Sequence, residues 1–151
     1  MKTQTKISGQ IKINSSKENV WKIISDLGGI QNYHPLVKKS YNLTNQTEGI
    51  GAGRICEFKN GGVLREQSVE WKEGEYVNLE VKPVKRMPPF KSAFAKMAVE
   101  EVNSKTIASL TIEYDLKYGL IGKLMNKLMV KPQFEKVVPK ILNGLKKYSE
   151  S

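Results

Sequence analysis

Six strand-type segments follow one another between residues 37 and 117, and this succession restricts the chain to few folds. The runs 37–44, 54–59, 63–72, 76–84, 92–102 and 105–117 are rich in β-branched and aromatic residues. Turn sequences separate them at Glu48–Gly53, Asn60-Gly61-Gly62, Lys72–Glu75, Pro88-Pro89 and Asn103-Ser104, and Asn60-Gly61 is the strongest hairpin signal in the chain. Connections this short predict an antiparallel meander, since a parallel crossover needs about a dozen residues or more.

The flanks read differently. Residues 4–13 alternate, with Ile7, Gly9, Ile11 and Ile13 on one side, which predicts a half-buried strand. Ser15-Ser16-Lys17-Glu18 has the S-x-x-E form of a capping box, and Val20, Trp21, Ile23, Ile24 and Leu27 follow at helical spacing until Gly28-Gly29. Ile30–His34 suits a second short helix, stopped by Pro35. Near the C-terminus, Leu120, Ile121, Leu124, Met125, Leu128 and Met129 recur as one stripe predicted to be buried, with Lys123, Lys127 and Lys131 on another face. Pro132 is expected to break or kink this run. A longer helix then turns Phe134, Val137, Val138, Ile141, Leu142 and Leu145 inward, with a bend expected at Pro139.

The predicted order is β-α-α-β6-α, an α+β fold in one domain spanning 1–151, a length typical of a single domain. A curved seven-stranded antiparallel sheet has one apolar face to cover, and the long C-terminal helix is the element left to cover it. Strong curvature around one helix leaves a gap, which is the expected ligand site.

Apolar residues at 39% and charged residues at 26% exclude a disordered or collagen-like chain. No apolar stretch is long enough to span a bilayer, and MKTQTKISG lacks the apolar core of a signal peptide. The single Cys56 has no intrachain partner, so a cytoplasmic location is expected and the sequons at Asn14, Asn42 and Asn45 read as chance matches. The net charge of +10 is concentrated in two segments. Residues 82–91 hold Lys82, Lys85, Arg86 and Lys91 without an acid; residues 120–148 hold Lys123, Lys127, Lys131, Lys136, Lys140, Lys146 and Lys147 against Glu135 alone. Either this is a solvated lysine face that keeps the protein soluble, or it attracts phosphate, as anionic lipid or nucleic acid. Nucleic acid is the weaker partner, because arginines and aromatics are not interleaved with the lysines on a strand face.

Several motifs, taken in order, resemble the START-like superfamily, also called SRPBCC or helix-grip, which includes pollen allergens, polyketide cyclase/dehydrase-like proteins and plant abscisic-acid receptors. They are Val20-Trp21-Lys22-Ile23-Ile24-Ser25-Asp26 after a strand, Tyr33-His34-Pro35-Leu36-Val37-Lys38, Gly49-Ile50-Gly51-Ala52-Gly53-Arg54, and Leu64-Arg65-Glu66. The resemblance runs from residue 4 to 148 and implies a curved sheet gripping the terminal helix around a hydrophobic cavity. It implies a lipid-, steroid-, polyketide- or hormone-sized ligand, and no cofactor is expected. It also implies cavity positions for Tyr33, His34 and Glu66, and a pocket wall at Phe134, Val138 and Leu142. Where the hormone receptors have a gate loop this chain has the tight turn Lys59-Asn60-Gly61-Gly62, so a polyketide-cyclase-like or lipid-binding member fits better than a hormone receptor, and a carrier or sensor of an apolar molecule is the first expectation. The alternative is a cyclase/dehydratase-type enzyme working through cavity polar groups such as His34, Glu66 and Tyr114.

Some residues carry two readings. His34, the only histidine, is either a cavity handle or a packing residue. One His and one Cys cannot assemble a usual zinc ligand set, and Cys56, inside a strand run, reads as a small buried side chain rather than a nucleophile. The glycines at 49, 51 and 53 precede a strand and not a helix, so they suit a turn rather than a dinucleotide loop. In strand 63–71 hydrophobicity turns Val63, Val69 and Trp71 inward while the resemblance turns Glu66 inward, and a bulge would reconcile the two. An inward Glu66 would need Arg54, Arg65 or His34 as a partner. In Arg86-Met87-Pro88-Pro89-Phe90-Lys91 the apolar side chains either fold back over the cavity mouth or dip into a membrane interface. Lys85, Arg86, Lys123, Lys127 and Lys131 would then meet anionic lipid.

Overall fold

The computed structural model describes residues 4–151. Seven strands form one antiparallel sheet: β1 (Thr5–Ile13), β2 (Val37–Asn42), β3 (Gly53–Phe58), β4 (Val63–Lys72), β5 (Tyr76–Lys85), β6 (Phe90–Val102) and β7 (Lys105–Leu116). Their spatial order is β1-β7-β6-β5-β4-β3-β2, so the meander is intact and the first strand returns to pair with the last. Helix α1 (Lys17–Ser25) and a 3-10 helix (Leu27–Asn32) join β1 to β2. After β7 come α2 (Gly119–Met125), a π-helical turn (Asn126–Val130) and α3 (Lys131–Glu150). The sheet curls around α3, which is the helix-grip arrangement.

Local chemistry explains these elements, with some departures from the sequence reading. The cap of α1 is Ser16, whose Oγ accepts from Asn19 N at 3.1 Å. The predicted Ser15–Glu18 box is therefore displaced by one residue, and Ser15 Oγ accepts instead from Asn19 Nδ2 at 2.6 Å. Gly49 and Gly51 adopt φ of +78° and +98° in the β2–β3 connection, as a turn requires and a β-carbon would resist.

In β4 the register slips between Ser68 and Glu70, leaving Val69 as the extra residue. Before this bulge Leu64, Glu66 and Ser68 are the covered positions; after it Trp71 takes the inner face, opposite Val77, and meets Trp21 edge-on at 5.6 Å. The inward position of Glu66 holds, whereas of the apolar set only Trp71 takes the inner face: Val63 is half-buried and Val69, the bulge residue, is exposed.

Pro132 does not stop the C-terminal helix. It lies within an unbroken helical run, and the π-helical turn before it absorbs the adjustment: Lys131 N–H bonds Asn126 O, five residues back. The helix also continues through Pro139. The predicted buried stripe of α2 is overturned, because Leu120, Ile121, Leu124, Leu128 and Met129 are between 58% and 82% exposed. Of that stripe only Met125 packs against the core, partly buried; the other residues turned inward are Gly122 and, in the following turn, Val130, with Asn126 half-covered between them.

Two glycines let α3 approach the rest of the core. A β-carbon on Gly9 of β1 would lie 3.0 Å from Val138 Cγ1 and 3.2 Å from Leu142 Cδ1, so the sheet has no side chain where the helix crosses it. At the far end Gly144 sits against the carbonyl of Tyr33, with no space for a β-carbon. Alanine normally improves a helix by ~1 kcal/mol over glycine. Here Gly144→Ala should instead destabilise by about 1–3 kcal/mol, read as a lower midpoint in urea unfolding; an unchanged or raised midpoint would contradict the close packing.

Candidate functional site

The concave face of the sheet and α3 enclose a cavity of about 410 Å³. Small residues make the room: Ala93 and Ala95 stand on β6 where larger side chains would fill the space. Leu64, Leu79, Val81, Met97, Leu110 and Ile112 complete the sheet wall, and Phe134, Val137 and Ile141 form the helix wall. The spacing of those three places them on one face of α3. Exposed Asn60, Gln133, Lys136 and Lys140 and half-buried Met87 and Pro88 also border the cavity and form its rim.

Phe90 and Phe134 stack at 6.2 Å, with Tyr114 behind them at 5.7 Å and 5.1 Å. The trio ties the start of α3 to β6 and β7. Tyr114 OH is hydrogen-bonded to Asn126 Oδ1, whose Nδ2 donates to Thr5 Oγ1 at 2.9 Å. Burial pushes the Tyr114 hydroxyl up to about 12.

The polar part of the wall comes from the β3–β4 hairpin and the segment before β2. Arg54 and Glu66 face each other across the two strands, and Arg54 Nε donates to Glu66 Oε1 at 3.2 Å. Both side chains are under one-tenth exposed. A second guanidinium nitrogen donates to Leu27 O at 3.3 Å, and Cys56 Sγ donates to the same Glu66 oxygen at 3.3 Å. Burial is the largest influence and opposes the Arg54 charge, but the Glu66 carboxylate and the neighbouring groups together outweigh it, so the guanidinium stays protonated. Burial, followed by the charge of Glu66, holds the Cys56 thiol well above its ordinary range, so it is a weak donor and not a nucleophile.

His34 closes this cluster, edge-on to Phe58 at 5.6 Å. Its Nδ1 accepts from Leu36 N at 3.2 Å, which assigns the ring proton of the neutral imidazole to Nε2. Burial is the main cause lowering its pKa to about 4; Arg54 lowers it further and Glu66 opposes.

The predicted positions divide into two groups. His34, Glu66, Phe90 and Phe134 line the cavity. Tyr33, Tyr114, Val138 and Leu142 are buried but do not line it. Tyr33 lies beneath the wall, donating to Met97 Sδ at 3.6 Å with its hydroxyl pushed up by burial to about 12. Val138 and Leu142 occupy the edge of the α3 stripe that packs over Gly9, whereas Val137 and Ile141 occupy the edge over the gap. Met87 and Phe90 are turned inward, so the 86–91 loop does not present them to a surface. Lys85, Arg86, Lys123, Lys127 and Lys131 are all exposed.

Arg54 and Cys56 belong to the polar wall although the sequence marked the first only as one candidate partner for Glu66. The signal was available: Arg54 and Glu66 are each six residues from Asn60, so a hairpin centred there places them opposite one another.

The sequence matches the family described as polyketide cyclase / dehydrase and lipid transport over residues 4–150. The chain belongs to this family. Solved structures share its fold at low identity. The Zhui aromatase/cyclase of Streptomyces sp. R1128 has a TM-score of 0.81 at 12% identity, covering 98% of this chain and 94% of that one. Ginseng major latex-like protein 151 from Panax ginseng has 0.78 at 13%, covering 98% and 99%. A START superfamily protein from Mycobacterium smegmatis has 0.67 at 16%, covering 94% and 97%. No curated protein matches the sequence. The family's description covers both cyclase/dehydrase and lipid-transport proteins, and the three structures share this chain's fold.

Glu66→Ala would strand Arg54 in the wall and should cost about 3–5 kcal/mol in urea unfolding, whereas Arg54→Met with Glu66→Leu should cost far less. Equal losses would deny the coupling. His34 adds a pH dependence of known sign. Its folded pKa of about 4 lies below the ordinary 6.5, so on acidification the unfolded chain binds the proton first. Its contribution is complete above pH 6.5 and is lost progressively down to about 4. His34→Gln should flatten that part of the stability–pH curve.

Proposed function

We propose that this family member is a carrier or sensor for an apolar small molecule or lipid held in the cavity, with exchange at an anionic membrane surface. The observation that carries the reading is a hollow of about 410 Å³ with apolar walls and one polar cluster, the usual form of a small-molecule site. The Arg54–Glu66 pair neutralises itself, so the wall presents no net charge to a guest. Its remaining guanidinium N–H groups and the His34 Nε2–H are donors. The matching ligand is a long or polycyclic hydrocarbon body ending in a carbonyl, hydroxyl or carboxylate.

Phe90 and Phe134 would grip the apolar body, and Tyr33, Tyr114, Val138 and Leu142 would support the wall from behind. Lys85 and Arg86, beside the Met87–Pro88 rim, and Lys123, Lys127 and Lys131, leading into α3, support exchange at an anionic surface.

A second reading, a cyclase/dehydratase-type enzyme, is favoured by one feature: a neutral His34 whose Nε2–H can donate to an enolate or carbonyl oxygen of a folded polyketide.

Native mass spectrometry of the purified protein should show a retained apolar guest, and a fluorescent fatty-acid probe should bind the emptied protein. Ala95→Trp fills the hollow and should weaken the probe by about tenfold or more while the protein stays folded. Failure of a broad panel of apolar compounds to bind would overturn the reading; turnover of a poly-β-ketone substrate that His34→Ala lowers would establish the second one instead.

A further inference from the structure

Helix α2 is amphipathic in the reverse sense for a helix attached to a core. The groups it turns inward are few: Gly122 is buried with its α-carbon against the Lys117 carbonyl, Met125 is partly buried against the core, and Asn126 is tied to Tyr114 and Thr5. Val130 is the next buried position. Gly122, Asn126 and Val130 recur at i, i+4 and i+8 and anchor one face. The opposite face carries Leu120 at 82% exposure, Ile121 at 70%, Leu124 at 58% and Leu128 at 66%, with Met129 at 60% beside them. On a helical projection the first four fall within an arc of roughly 100°. An apolar patch of this kind on an otherwise ordinary surface marks an interaction site.

Charge identifies the partner. Residues 117–131 contain Lys117, Lys123, Lys127 and Lys131 and no acid, and all four lysines are exposed. Lys123 and Lys127 border one edge of the apolar arc, where their stems can lie along it and their ammonium groups reach upward. Two copies meeting through this face would oppose the same lysines, whereas a layer of anionic headgroups over acyl chains meets both components at once.

We infer that α2 and the π-helical turn form a wedge that seats Leu120, Ile121, Leu124, Leu128 and Met129 in the interface of an anionic bilayer, parallel to its plane. The inference deepens the proposed function and rests on its anionic-surface part, but not on the identity of any cavity guest. It also replaces the 86–91 loop as the apolar membrane element. The helical run continues from the wedge into α3, whose Gln133, Lys136 and Lys140 edge the cavity, so the bound protein would hold its opening near the headgroups.

Flotation with phosphatidylcholine vesicles and with phosphatidylcholine–phosphatidylglycerol vesicles tests this. The protein should float only with the anionic vesicles. The combined variant Leu120→Ser, Ile121→Ser, Leu124→Ser and Leu128→Ser, all at exposed positions, should lose about tenfold or more in partitioning. In parallel, Leu124→Cys carrying an environment-sensitive fluorophore should shift to the blue with anionic vesicles; Cys56 is buried and will not compete for the label. If the protein floats but the serine variant floats equally, or the label at residue 124 does not shift, the wedge is wrong while the anionic-surface reading stands. If neither vesicle binds, both are wrong, and cavity binding is still judged separately by the fatty-acid probe. A dimer in sedimentation that the serine substitutions dissociate, without vesicle binding, would assign the face to a second copy and overturn the proposal.

Discussion

The close crossing of α3 over the sheet is the contact on which the rest of the molecule depends. Gly9 removes the side chain beneath Val138 and Leu142, and Gly144 brings the other end of the helix onto the Tyr33 backbone. At the start of α3 the spacing is set by rings, with Phe134 held against Phe90 and Tyr114. A helix pinned closely along one side and propped by aromatics at its start does not fill the space beneath it. Ala93 and Ala95 on the facing strand leave that space open. The cavity is thus a consequence of where small and large residues stand, and the helix that encloses it is also the helix that stabilises the fold.

Within this apolar enclosure the Arg54–Glu66 pair is an exception that the surroundings must justify. Two buried charges are tolerated because each has a partner and further hydrogen bonds: Leu27 O on the guanidinium and the Cys56 thiol on the carboxylate. Such a pair adds little net stability compared with a well-packed apolar one. It supplies oriented donors without a net charge, next to an imidazole kept neutral by burial. An apolar enclosure with one polar wall is thus the feature on which both proposed readings rest, in a family described as polyketide cyclase / dehydrase and lipid transport.

Much of this was legible in the sequence wherever a pattern is local. Asn60-Gly61 placed the central hairpin, the alternation of Ile7, Gly9, Ile11 and Ile13 placed the first strand, and the conflicting parity of strand 63–71 left room for a bulge, which falls at Val69. Site assignments were less even. Glu66 and His34 do line the cavity, but Val138 and Leu142 share the apolar stripe of α3 with Val137 and Ile141. Periodicity cannot say which edge of a broad stripe meets protein and which meets a void.

The sequence by itself determined the order of elements, the antiparallel pairing and the concentration of positive charge toward the C-terminal half, because strand alternation, turn chemistry and formal charge act over a few neighbouring residues. Tertiary structure alone decided which apolar faces are covered. The stripe Leu120–Met129 has the periodicity of a core helix, yet only Met125 of it packs inward, beside Gly122 and Asn126, and the leucines face outward. Amphipathic spacing specifies that a helix has an apolar face; what that face meets depends on the shape of the surface already built, and here the sheet accepts one long helix and leaves the preceding one with its apolar side uncovered.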